Sequence, residues 1–345
     1  MRRNGRARSA QGWSLPRAVR FSKTCSHDRT GPWRYRGRAR LGVLDIGSNT
    51  VHLLVVDVVR GARPVPAVDK RSVLRLMQYI EDDGSISTDG VALLARAVDS
   101  AMRSARAERV DEMLVMVTSA LREATNGEEV LADLRSRIGG DVQVLSGPDE
   151  ARLTFLAARR WHGWAAGRLL VLDIGGGSLE VASGVDEEPD LAMSLPLGAG
   201  RLTRTYLSHD PPSPKELKRL RSVVRSELKP LLEAMRRLPP PDHVVATSKT
   251  FRSLARLAGL RVNDVGPDER WQMSTSLLSD WLPRLARIPA AQRMELPGIT
   301  PERTYQIVAG AVVAEQVLIK LGVELVEICP WALREVALLR RLDRT

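Results

Sequence analysis

The sequence predicts an α/β protein built from two copies of one domain, and three observations carry that prediction. An apolar strand ending in Asp, a short polar glycine turn and a second apolar strand occupy Leu41 to Val59. The same pattern returns at Leu169 to Ala182, where Val171-Leu172-Asp173-Ile174-Gly175 stands against Val43-Leu44-Asp45-Ile46-Gly47, an offset of 128 residues. Segments of helical spacing alternate with short β-branched runs through the rest of the chain. An offset of that size is too long for a solenoid period and suits a domain duplication.

In order, Leu41–Ile46 and Val51–Val59 read as a hairpin closed by Gly47-Ser48-Asn49-Thr50. Thr88 to Ala107 is helical, with Val91, Leu94, Ala95, Val98 and Met102 on one stripe, and Met113–Val117 is a buried-type strand. Val142–Leu145 is a short strand. After it, Ser146 with Asp149 three residues on resembles a capping pair opening a helix to about Trp161. The second hairpin is followed by a helix opened by Ser213-Pro214-Lys215-Glu216, expected to run to about Leu238 before Pro239-Pro240-Pro241. His243–Ala246 reads as a strand and Phe251–Leu257 as a short helix. Helices are expected over 267–287 and 301–321, a strand over Val323–Cys329 and a last helix from Trp331.

The chain has 345 residues and a formal charge of +11, but residues 1–40 hold eleven Arg, one Lys and one Asp, so the remaining body is neutral. A global field for nucleic acid is therefore excluded, and 4% aromatic residues offer few stacking platforms. The tail is expected to be a disordered basic extension, with 41–155 and 156–345 as the two domains. Cys25 and Cys329 are the only cysteines, too few for a disulfide framework or a thiolate metal site, which points to a reducing, cytoplasmic setting. No apolar run approaches the ~20 residues of a membrane span. The five histidines lack metal-ligand spacing, and His52 reads as a strand residue.

Two glycine turns at corresponding places suit phosphate, because tight-turn amides form anion nests and glycine admits close approach. Gly47, Ser48 and Asn49 form one; Gly175, Gly176, Gly177 and Ser178 form the other. Neither is a Walker loop, and neither opens a helix as a dinucleotide fingerprint does. Asp45 and Asp173 at strand ends suit a hard cation such as Mg²⁺ or Mn²⁺, or else cap their turns. Strand alternation puts Glu180 on the face of Ser178, turned toward the second glycine turn. Glu150 falls in the first turn of a helix, where the macrodipole favours any acid. Ser119 with Arg122, and Ser248 with Lys249, follow strands and suit a polyanion.

Leu44–Thr50, Thr118–Ala124, Ser146–Arg152, Val171–Glu180, Leu197–Arg201, Thr247–Arg252, Leu296–Ile299 and Pro330–Glu335 together make the chain similar to the exopolyphosphatase and guanosine pentaphosphate phosphohydrolase (Ppx/GppA) family, in the short form without a C-terminal HD-type domain. The resemblance implies duplicated ribonuclease-H-like domains of the actin-like ATPase superfamily, with the active site in an interdomain cleft. The last helix is expected to be free to return to the first domain. It places the general base on Glu150, a phosphate-contacting arginine on Arg122, and metal-associated carboxylates on Asp173 and Glu180, with Asp45 as a further candidate ligand. The implied substrate is inorganic polyphosphate or guanosine pentaphosphate, and the implied cofactor Mg²⁺ or Mn²⁺. A homodimer is compatible with it; no specific nucleic-acid or membrane partner is expected. Departures occur at Arg303-Thr304-Tyr305, where many members have Arg-Ala-Asp, and at Val336, where they have Gly. A sugar or carboxylate kinase of the same superfamily shares the two turns but should lack the Glu150 motif.

Overall fold

The computed structural model describes residues 19–20, 38–59, 64–262 and 270–343. The first sheet contains β1 (Val19–Arg20), β2 (Arg38–Ile46), β3 (Thr50–Val59), β4 (Val65–Val73), β5 (Glu112–Val117) and β6 (Gln143–Val144). Its helices are α1 (Thr88–Ala107), α2 (Ser119–Glu123), α3 (Gly127–Ile138) and α4 (Gly147–His162). The second sheet contains β7 (Leu169–Ile174), β8 (Leu179–Gly184), β9 (Leu191–Leu195), β10 (His243–Ala246), β11 (Gly259–Val262), β12 (Arg270–Ser274) and β13 (Leu325–Ile328). With it come α5 (Ala199–Tyr206), α6 (Pro214–Glu227), α7 (Lys229–Met235), α8 (Lys249–Ala258), α9 (Thr275–Leu285), α10 (Ile307–Leu321) and α11 (Leu333–Leu342).

The duplication is topological as well as sequential. In the first half β4, β3 and β2 run antiparallel in that order, and β5 and then β6 continue parallel to β2. In the second half β9, β8 and β7 are antiparallel, and β10 and β13 continue parallel. The second sheet then adds β12 and β11 antiparallel. The near-continuous apolar runs of β2 and β3 follow from coverage on both faces. Leu44, Ile46, Leu53 and Val55 pack with Leu94, Val98 and Met102 of α1. Leu41, Val43, Leu54 and Val56 pack with Leu153 and Leu156 of α4 and with Val336 and Leu338 of α11.

Helix α4 sits between the sheets. Its Leu153, Leu156 and Ala157 face the first, while Ala151, Phe155 and Ala158 pack on Leu169, Val171 and Val245 of the second. A helix apolar on two sides must be buried on two sides, which fixes its N-terminus at the seam. The N-cap is as expected: the Ser146 hydroxyl accepts from the Asp149 amide. α11 lies against β2 and α4, and Arg341 donates to Glu112 of β5 at 2.9 Å.

Several expectations are corrected. β2 starts at Arg38, inside the basic tail, because Arg40 is matched by Asp57 at 2.8 Å and Glu108 at 2.9 Å. Val19 is buried on β5, so part of the tail does contribute to the core; residues 1–18 and 21–37 lie outside the described residues. The helix expected to run from 213 to about 238 divides at Leu228 into α6 and α7, because Pro230 brings no N–H to bond back to Ser226. Over the expected helix 267–287, residues 270–274 are strand β12, with Met273 opposite Val326 and fully buried, and only α9 is helical; 263–269 lie outside the described residues. The helix expected from 301 begins at Ile307, since turns occupy 301–306. β4 and β9 gave little sequence signal, as the exposed β4 carries Pro66 and charged residues and β9 has five residues.

Candidate active site

The two turns close identically. Gly47 donates to the Thr50 carbonyl at 3.0 Å, and Gly175 to that of Ser178 at 2.9 Å, residues related by the same offset. Pairing is also repeated: Asp45 lies opposite His52, and Asp173 opposite Glu180. The turns approach each other closely enough to require glycine. A Cβ at Gly176 would sit 2.5 Å from Asn49 Nδ2, and one at Gly177 would collide with Ser119 Oγ. Ser119 Oγ is itself 3.1 Å from Ser48 Oγ.

Helix α5 orients the second turn. The Ala199 and Arg201 amides donate to the carbonyls of Gly175 and Gly176 at 3.0 and 2.9 Å, and Arg201 Nε donates to that of Gly177 at 2.8 Å. Because a trans peptide sets N–H opposite C=O, the amides of Gly176, Gly177 and Ser178 point away from α5. That leaves a row of amide donors turned away from the helix, the arrangement of an anion nest.

A cavity of about 150 Å³ opens beside the turns. Of the predicted residues, Asp45, Gly47, Ser48, Asn49, Glu150, Asp173, Gly175 and Lys249 line it. Arg122, Ser119, Gly176, Gly177, Ser178 and Glu180 stand outside that lining, although Arg122 Nη1 is 3.7 Å from Glu150 Oε2. Arg122 also donates to the Leu145 carbonyl at 2.6 Å and to Glu123 at 3.4 Å.

Four acids converge, each in a different electrostatic state. Glu150 Oε2 is buried without a hydrogen-bond partner. Burial first, then the nearby Glu180 charge, holds its pKa well above the usual carboxylate range, with Arg122 opposing. Glu180 is pushed up to about 7 by burial and by Asp173. It accepts from Ser194 Oγ at 2.8 Å. Asp173 is raised chiefly by burial while accepting from the Thr247 hydroxyl. Asp45 is likewise raised by burial, but Arg334 donates to it at 3.1 Å.

Sequence reasoning did not single out the cations Arg71, Arg252 and Arg334, met Arg303 only within a departure from the family pattern, and missed the pairing of His52 with Asp69 at 2.6 Å; all lie at the cavity apart from Asp69. Arg252 and Arg334 lie inside recognised motifs, one helical turn from Lys249 and just after Trp331; that proximity was the available signal. Lys249, ion-paired with Glu302, is lowered to about 8 by burial and by these arginines. Burial also lowers Arg303 to about 10. The neutral body thus carries a local cluster of cations at the cavity.

Comparison with known sequences decides the family, since residues 54–345 match the Ppx/GppA phosphatase family. The chain belongs to the Ppx/GppA phosphatase family. It is 49% identical over 304 residues to exopolyphosphatase 1 of Mycobacterium tuberculosis, covering 88% of each chain. The exopolyphosphatase 1 of Mycobacterium leprae is 48% identical over 304 residues, covering 88% of this chain and 90% of that one. Among solved structures, an exopolyphosphatase from Cytophaga hutchinsonii superposes with TM-score 0.79 at 24% identity, over 88% of this chain and 98% of that one. The Ppx/GppA family member of Aquifex aeolicus gives 0.70 at 22% identity, over 89% and 98%. These likenesses bear out the expected duplicated ribonuclease-H-like fold.

Ppx/GppA phosphatases are generally metal-dependent, and the residues present fit a cation incompletely. Asp173 and Glu180 are neighbours across the β7–β8 pair, and each has one carboxylate oxygen engaged by a hydroxyl. Among the described residues, however, no group of three or more His, Cys, Asp or Glu could hold an ion alone.

Proposed function

We propose that this protein is an exopolyphosphatase, hydrolysing the terminal phosphoanhydride of inorganic polyphosphate to release orthophosphate. The observation that carries the reading is the Glu150 carboxylate, whose Oε2 is buried without a hydrogen bond and 3.7 Å from Arg122, at a cavity otherwise walled by the glycine turns and cations. Similarity to the mycobacterial exopolyphosphatases supports the same substrate. The halves 41–155 and 156–345 act as the two jaws, with α4 between them and α11 returned to the first.

Hydrolysis of a phosphoanhydride needs an aligned water, neutralised equatorial oxygens and a stabilised leaving group. Glu150 takes the proton from the water; its raised basicity and missing hydrogen-bond partner suit that task. Arg122 and the turn amides hold the terminal phosphate, and Lys249, Arg252, Arg303 and Arg334 hold the departing chain. Asp173 and Glu180 would hold Mg²⁺, which neutralises phosphate charge. Asp45, tied to Arg334, takes a lesser share. A cytoplasmic site of action accords with the buried free thiol of Cys329 and with the lack, among described residues, of any helix long and apolar enough to cross a membrane.

The test is orthophosphate release from short polyphosphate, long polyphosphate, guanosine pentaphosphate and ATP, with Mg²⁺, with Mn²⁺ and with chelator. Preferential turnover of polyphosphate supports the proposal. Selective turnover of guanosine pentaphosphate would replace it with the other activity of the resemblance, and phosphoryl transfer from ATP to a hydroxyl would make the protein a kinase.

A further inference from the structure

Glu123 stands at the end of α2 in the first half, and one carboxylate engages two arginines. Arg122, its neighbour, donates to it at 3.4 Å and also approaches Glu150 at 3.7 Å. Arg201, from α5 of the second half, donates to it across the seam. The same Arg201 guanidinium donates through Nε to the Gly177 carbonyl at 2.8 Å. A continuous chain of contacts therefore runs from Glu150 through Arg122, Glu123 and Arg201 to the peptide of the second glycine turn. Glu123 and Arg201 are 40% and 28% exposed. Pairs so exposed contribute only about 0–1 kcal/mol to stability, so folding alone gives this arrangement little weight.

We propose that Glu123 is a positioning residue that registers the two halves of the active site, fixing the Arg122 guanidinium and, through Arg201, the orientation of the Gly177 peptide. The proposal rests on the phosphatase reading above. Without the carboxylate, Arg122 is shared only between the Leu145 carbonyl and Glu150, and Arg201 has one fewer anchor to hold Gly177. The Gly177 peptide is then free to rotate, which turns the Ser178 amide off the phosphate. The loss falls on turnover, because misplacement of reacting groups by about 1 Å costs on the order of a hundredfold.

Three single variants and one double test this on the full chain: Glu123→Gln, Glu123→Asp, Arg201→Ala, and Glu123→Gln combined with Arg201→Ala. Glu123→Gln is expected to lower kcat for release of orthophosphate from tripolyphosphate by roughly ten- to a hundredfold, with KM changed less than about threefold and melting temperature almost unchanged. Glu123→Asp should recover part of that loss, and the Glu123→Gln, Arg201→Ala pair should be no worse than the poorer single variant. Amide hydrogen exchange over 175–178, measured without substrate, should rise in both Glu123→Gln and Arg201→Ala. Unchanged exchange there, or an unchanged kcat in Glu123→Gln, overturns the proposal. A parent protein that releases no phosphate from any polyphosphate instead overturns the functional reading, and the exchange measurement still decides whether Glu123 holds the turn.

Discussion

The two glycine turns share length, closing hydrogen bond and strand register, yet their carboxylates do different work. In the first half, Asp45 is neutralised by Arg334, and its cross-strand partner is His52, itself fixed by Asp69. In the second half, the equivalent positions are Asp173 and Glu180, two acids hydrogen-bonded by hydroxyls, Thr247 on the first and Ser178 and Ser194 on the second. Asp45 is thus met by a hydrogen-bonded guanidinium, whereas Asp173 feels Arg252 and Arg303 only as nearby charges. The comparison teaches that a duplication supplies geometry twice, while the groups delivered from elsewhere in the fold decide the electrostatics of each copy.

The largest expected effect is at the residue that serves both halves. Glu150→Gln should reduce turnover by roughly 10²–10⁴-fold with substrate binding retained, the scale of general-base catalysis. Near-normal kcat in steady-state assays would return Glu150 to a helix-terminus role.

The comparison itself is broken or sharpened by a matched pair. Asp173→Asn should cost several kcal/mol of transition-state stabilisation, roughly a hundredfold or more in turnover, and should raise the Mg²⁺ concentration needed. Asp45→Asn should act mainly on stability, because it removes the charge that the buried Arg334 is hydrogen-bonded to, at a cost of about 1–3 kcal/mol. Metal titration and thermal melts of both variants check this. Equal shifts in metal requirement would show that the halves do not differ as argued.

Glu180 and His52, at equivalent positions, should give opposite pH slopes of stability. Glu180 is raised in the fold to about 7 from 4.5, so it destabilises the folded state increasingly as pH rises between those values. With chelator present, Glu180→Gln should therefore gain about 3 kcal/mol at pH 8 and nothing near pH 4, while losing activity. His52 is lowered to about 4 by burial first and by Arg334 next. Below its unfolded value of about 6.5 the unfolded chain binds the extra proton, so stability falls as pH drops toward 4. His52→Gln should flatten that acid limb. Denaturant melts from pH 4 to 8 that show parallel slopes for the two variants would contradict the assignment.

The smallest effect is expected at the rim. Arg71→Gln should raise KM for polyphosphate a few-fold at low salt and hardly at all at high salt, since charge attraction at the surface is screened over ~10 Å at 0.1 M. A salt-independent change in KM would place Arg71 in direct contact with the reacting phosphate.

The sequence by itself determined the repeat. Asp45 and Asp173 ending equivalent strands, the glycines after them, the Ser146 cap and the 88–107 helix are local features, set by period, turn chemistry and capping within a few residues. The face of Glu180 was equally legible, because alternation along a strand is fixed by backbone geometry. Only the tertiary structure decided which acids are compensated, because the partners come from afar: Arg334 reaches Asp45 across 289 residues and Thr247 reaches Asp173 across 74. The same reason hid Arg71 on an exposed edge strand and the Glu123–Arg201 contact across the seam. It also hid β12, since the pairing of Met273 with Val326 in β13 outweighed the helical pattern read over 267–287. Burial raised the carboxylate pKa values, and burial is a property of how α4 is wedged between two sheets, which no single stretch of the chain encodes.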